Sequence, residues 1–153
     1  MTSVLYAALI ALHLLAAILW VGGMFFAHMV LRPSVAEMPP KERLALWGQV
    51  LPRFFTWVWR AVVVLPLTGY FAALWKHGDL KYAESYVHVM TGIGLVMILL
   101  FVFLYFVPYN RFRTALNRED LPAAASHQGT IRRIVSVNLV LGLVVSALSV
   151  FGR

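Results

Sequence analysis

The 153-residue chain contains no cysteine. Disulfides, thiolate metal sites, CxxCH haem attachment and cysteine nucleophiles are therefore excluded together, and any metal or cofactor must rest on histidine, methionine, carboxylate or backbone groups. Acidic residues are scarce too: six Asp and Glu stand against thirteen Lys and Arg. None lies deep within a long apolar run, Glu84 standing only at the entrance of the third, which argues against a proton-coupled pump and against a carboxylate-bridged metal centre. Charge as a whole is thin at 12% of residues, while 61% are hydrophobic and the mean hydropathy is +0.81. A soluble domain is about half apolar and about a quarter charged, so water is not the solvent for most of this surface. The net charge of +7 does not signal a nucleic-acid partner, because the basic residues flank apolar runs instead of forming a stripe on a soluble face.

What the chain does have is four long apolar runs, at about 3–31, 52–75, 81–107 and 130–151. Each exceeds the roughly 20 residues that cross a bilayer, and together they use nearly the whole length. The expected fold is all-α, an integral membrane four-helix bundle forming one domain over 1–153, with lipid as its principal partner. The first run lacks the basic flank and short apolar core of a signal peptide, and Met24, Phe25 and Phe26 continue it where cleavage would fall, so it is expected to stay as a helix. Pro39 and Pro40 open a short amphipathic piece, 41–50, expected to lie at the interface before Pro52 begins the second span. Gly78 followed by Asp79 reads as a helix stop and an N-cap, hence a tight hairpin between spans two and three. The small and polar segment 122–128 reads as a loop.

Basic loops resist translocation. Arg32, Lys41, Arg43 and Arg53 gather around the first connection, and Arg111, Arg113, Arg118, Arg132 and Arg133 around the third; Lys76, Lys81 and Arg153 are sparse on the other side. Both termini are therefore expected on the non-cytoplasmic face of the cell inner membrane.

Ionisable residues inside spans are costly and point to function. The candidates are His13, His28, Arg60 and His88. His13 lies about ten residues into span one and His88 about eight into span three, about 12 to 15 Å of helix rise in each case. Two parallel spans would thus hold both imidazoles at similar depth, as a six-coordinate haem b requires, with Ala16, Ala17 and Gly23 leaving room beside them. Copper is the alternative ligand, contacted by His13, His88 and Met24. Met90 and Met97, however, fall on the helix face opposite His88, so span three supplies no His/Met cluster. The bland reading is a pair of histidines that only hydrogen-bond between helices. His28 is about 22 Å beyond His13 along the helix and cannot share its metal; a second site would pair it with His127, although a loop histidine is more often simply solvated. Arg60 either snorkels to the interface or meets an acidic group such as a haem propionate or lipid phosphate. Trp47, Phe54, Phe55, Trp57 and Trp59 read mostly as an interface belt, with Trp20 and Trp59 as walls of a cofactor or quinone pocket. His77 suits a helix C-terminus and carries no assigned chemistry.

The string Ala11-Leu12-His13-Leu14-Leu15, continuing through Leu19-Trp20-Val21-Gly22-Gly23-Met24-Phe25 to Leu31-Arg32-Pro33, resembles the first helix of CopD-type copper-resistance membrane proteins and of the related HemJ-type protoporphyrinogen oxidases. Leu51-Pro52 before span two, Tyr86-Val87-His88 opening span three, and Asn110-Arg111 after it extend the likeness over most of the chain. The resemblance implies a four-helix protein associated with haem b or copper, with His13 and His88 at the family's first-helix and third-helix histidines. The HemJ-type pattern has a lysine two residues after the latter, where this chain has Met90, a departure that weighs against porphyrinogen oxidation. Four readings stand open: a bis-His haem-b protein moving electrons with a redox partner; a copper transporter or delivery protein; a porphyrinogen or quinol oxidoreductase; and an assembly subunit with no chemistry of its own. No residue is assigned a catalytic role, and a homo-oligomer is open.

Overall fold

The computed structural model describes residues 2–79, 81 and 83–151. Arg153, one of the charges used for orientation, lies outside them. The described residues are helical nearly throughout: α1 (Thr2–Phe25), a π-helical turn (Phe26–Leu31), α2 (Arg32–Ser34), α3 (Pro40–His77), α4 (Ser85–Leu104), a second π-helical turn (Tyr105–Tyr109), α5 (Asn110–Asn117) and α6 (Leu121–Phe151). Four of the resulting rods are long and apolar enough to cross a membrane: Val4–Ser34, Pro40–His77, Ser85–Asn117 and Leu121–Val150. This is the all-α, membrane-spanning class that composition implies. Large apolar side chains such as Leu14, Leu19, Leu99 and Val140 stand on the outer surface, where lipid is the solvent that tolerates them.

Both π-turns have a proline cause. A proline ring collides with the carbonyl four residues back in a regular helix; widening the turn relieves that collision for Pro108 within the second π-turn and for Pro33 just past the first. In the first, the Arg32 N–H reaches the Ala27 carbonyl, five residues back.

Three local expectations need correction. The separate interfacial helix at 41–50 does not exist, because α3 runs unbroken from Pro40 through Pro52 to His77. Leu44, Trp47, Leu51, Phe55, Val58 and Ala61 form one buried stripe at three- and four-residue spacing, so core burial carries the helix past its proline. Trp47 and Phe55 are therefore core residues, whereas Trp57 stays exposed. The expected loop at 122–128 is the start of α6. Asp120 accepts the Ala123 N–H through Oδ1 at 3.0 Å, an N-cap bond, and Ala124 is fully buried. Finally, Gly78 does end α3, with φ of +74° and its N–H on the Leu74 carbonyl at 2.8 Å. Asp79, however, accepts the Lys81 N–H at 3.1 Å instead of capping α4, which begins only at Ser85.

α1 lies against α3, and α6 packs on α4, α5 and α1. Between α3 and α4 the seam is filled by rings. Phe55 meets Phe101, Tyr105 and Tyr109 at centroid separations of 5.6, 6.0 and 4.8 Å, and Trp59 meets Phe101 and Tyr105 at 5.1 and 5.4 Å, mostly edge to face. The α1–α3 seam is close because Gly23 has no side chain: a Cβ there would overlap the Phe54 ring. Gly22, one position on, faces open space. We expect Gly23→Ala to cost about 1–3 kcal/mol through overpacking, while Gly22→Ala is neutral or slightly stabilising. Thermal unfolding of the two variants in detergent checks the difference, and equal melting temperatures would contradict this seam.

Candidate functional site

His13 sits half-buried on the face of α1 turned toward α3. Its Nδ1 lies 2.9 Å from Thr68 Oγ1. A threonine hydroxyl has a single proton, and this one is directed at the Val64 carbonyl at 2.7 Å, with a longer 3.3 Å approach to the Leu65 carbonyl. Carbonyls only accept, so the hydroxyl proton is committed to the helix and the His13–Thr68 bond must run from Nδ1–H to Oγ1. The imidazole is thereby held with a proton on Nδ1, and in its neutral form Nε2 is the free nitrogen. Such a fixed ring is the arrangement by which a second group prepares histidine as a metal ligand. Gly69 makes the space: a Cβ at that position would stand 3.1 Å from His13 Cε1.

His88 is elsewhere. It is exposed on α4 and forms no hydrogen bond or ion pair with a described residue. Phe101, thirteen residues on, is buried and contacts Trp20 of α1 at 6.2 Å. Thirteen residues turn a helix by about 220°, so His88 faces away from the surface that meets α1. Depth does not match either. From the Trp20–Phe101 contact, His13 is seven residues back and His88 thirteen, leaving them about 9 Å apart along the bundle. On this phase and stagger the two imidazoles do not face one another across the α1–α4 contact at Trp20 and Phe101.

The remaining candidates scatter. Trp20 is core, 3% exposed, on the same α1 stripe as His13. Arg60 is exposed and lays its guanidinium over the Trp57 ring at 4.4 Å, turned back toward the N-terminal part of α3 as snorkelling requires. Trp59 belongs to the ring seam. His28, in the first π-turn, has Nδ1 3.3 Å from Ser136 Oγ, whose proton is directed at the Arg132 carbonyl at 2.8 Å. It lines a cavity of about 630 Å³ with Arg32, Arg43, Trp47, Gln128 and Arg132. His127 is not on that wall; it is one residue, about 100° of helix, away from Gln128. Among the described residues no three His, Asp or Glu side chains gather around a point.

Sequence reading passed over three residues. Thr68 and Ser136 orient the two histidines, and Asn138, 3% exposed, donates from Nδ2 to the Met97 carbonyl at 3.1 Å while its Oδ1 is buried without a partner among the described residues. The signal available was a polar side chain inside an apolar span. Two thioethers are also deep in the core, Met24 at 1% and Met97 at 3% exposure.

We expect nitrogen-15 NMR of the histidines to show His13 protonated at Nδ1, and Thr68→Val, which removes the acceptor, to release it to mixed tautomers while Thr68→Ser preserves it. An Nε2–H ring in the unsubstituted protein would show that the hydroxyl argument is wrong.

Residues 48–151 match the family model described as CopD, Copper resistance protein D. No curated protein and no solved structure matches. The matched stretch contains Thr68, Gly69, Met97 and Asn138; His13 and Met24 precede it.

Proposed function

From the premise that this chain belongs to the Copper resistance protein D (CopD) family, we propose that it moves or delivers copper ions at the cell inner membrane, with His13 as the entry ligand. Membership makes it a copper-resistance membrane protein; the role of His13 rests on the Nδ1–Thr68 bond, which leaves Nε2 free to donate. Cu(I) favours imidazole nitrogen and thioether sulfur over hard oxygen donors. The donors at hand fit it: an oriented imidazole, and the buried sulfurs of Met24 and Met97. Met24 is eleven residues beyond His13, about 20° around the helix and about 16 Å along it. The two are successive positions on one stripe and not ligands of one ion, which suits a cargo passed along a helix better than a resident centre.

The direction follows from charge. The basic ends of the spans belong to the cytoplasmic side, so the termini and the His13 end of α1 face outward, and His13 meets copper before Met24 does. A bis-His haem is not part of this reading, because His88 turns away from α1.

Cu(I) competition against a chromophoric chelator, on the purified chain in detergent, tests the proposal. The unsubstituted protein should withdraw Cu(I). His13→Ala should weaken retention by about tenfold or more, about 1.4 kcal/mol; Met24→Leu should also weaken it, and His88→Ala should leave it unchanged. A chelator that keeps all its copper, or equal retention by His13→Ala, would overturn the reading. So would a Soret band lost in both histidine variants.

A further inference from the structure

The cavity at the opposite end of α1 has no place in copper handling. Three arginines from three separate helices converge on it: Arg32 from α2, Arg43 from the first turn of α3 and Arg132 from α6. No Asp or Glu lies on its wall. The ion pairs among the described residues, Lys76–Glu84 at 3.6 Å and Lys81–Asp79 at 3.3 Å, are at the other end of the bundle. Arg43 donates to the Ala36 and Met38 carbonyls at 2.8 and 3.5 Å, which fixes its position without neutralising it. Arg32 and Arg132 have no ion pair with a described residue.

Like charges gathered at the edge of a low-dielectric bundle repel one another unless an anion joins them. Guanidinium forks match phosphate oxygens in shape as well as charge. At about 630 Å³ the cavity is large enough for a phosphate ester. It shares His28, Arg32, Gln128 and Arg132 with a slot of about 40 Å³ whose further wall is apolar, with Val50, Phe54 and Val135. Its other rim carries Met29, an exposed apolar residue on the lipid-facing surface of the first span. A charged mouth with apolar walls at the membrane boundary has the polarity of a phospholipid: phosphate against the arginines, glycerol and chain along the apolar rim. Basic pockets between transmembrane helices are known to take anionic headgroups in this way.

We infer that this cavity is a phosphate-binding site, filled by the headgroup of an anionic phospholipid. The claim is independent of copper binding. Native mass spectrometry of the delipidated full chain, titrated with phosphatidylglycerol or phosphatidylcholine, tests it, with inorganic phosphate as a third arm read by thermal shift. Phosphatidylglycerol should be retained at least tenfold more tightly than phosphatidylcholine. Arg32→Gln with Arg132→Gln should bring the two lipids to near parity, while Arg111→Gln with Arg118→Gln, at the same end but off the cavity wall, should keep the preference. Should the double variant fail to fold, Arg43→Gln alone must lower the preference. Stabilisation by inorganic phosphate that depends on the same arginines, without lipid preference, would uphold the phosphate site and assign it a soluble occupant. The inference is overturned by the absence of both effects, or by equal loss in the off-wall control.

Discussion

In a bilayer a polar group finds its partner within the protein or not at all, and this constraint determines what the few polar side chains here can do. Thr68 and Ser136 each turn a hydroxyl back onto the helix that carries it, at 2.7 and 2.8 Å. In water such bonds exchange with solvent and say little about a neighbour. Within the span Thr68 commits the only proton its hydroxyl has, and His13 facing it becomes the donor by elimination. A residue with no role in the sequence pattern thereby decides which way the His13 bond runs.

The same absence of water explains how the helices are held. Lipid tails are as apolar as leucine, so apolar burial alone does not drive spans together, and close packing must. α1 meets α3 through a position without a side chain, Gly23 against Phe54, whereas α3 meets α4 through edge-to-face rings centred on Phe55 and Phe101. These are different spacings. Gly69 leaves His13 the room to reach Thr68, while the α3–α4 seam is filled by rings.

Class was easy to read because it depends on bulk properties: a run of apolar residues longer than a bilayer needs no tertiary information. Local ends were harder. Proline at 52 suggested a helix start, but a buried stripe running from Leu44 to Ala61 outweighed one lost hydrogen bond. Asp120 was a legible N-cap, and counting the alanines after it as a loop missed the cue. The pairing of His13 with His88 failed for a deeper reason. Equal distance from two span starts gives equal depth only if the spans start level and present the right faces, and neither phase nor stagger between helices is written in either sequence alone. The departure at Met90 bore on the chemistry; the geometry was set by which face of α4 carries Met97, Phe101 and Leu104 into the core.

The prolines connect the two ends of the first span. Without Pro33, the helix would continue from His13 to Arg32 with one phase throughout, nineteen residues or about 100° around. The π-turn at Phe26–Leu31 adds a residue to that turn, so residues beyond it are re-aimed while those before it are not. His13, Trp20 and Met24 keep their common stripe toward the bundle interior, and His28 and Arg32 come to face α6 and the arginine cavity. One proline thus separates an apolar, soft-donor half of the span from a cationic half. The separation keeps the soft donors and the guanidiniums on different parts of one span.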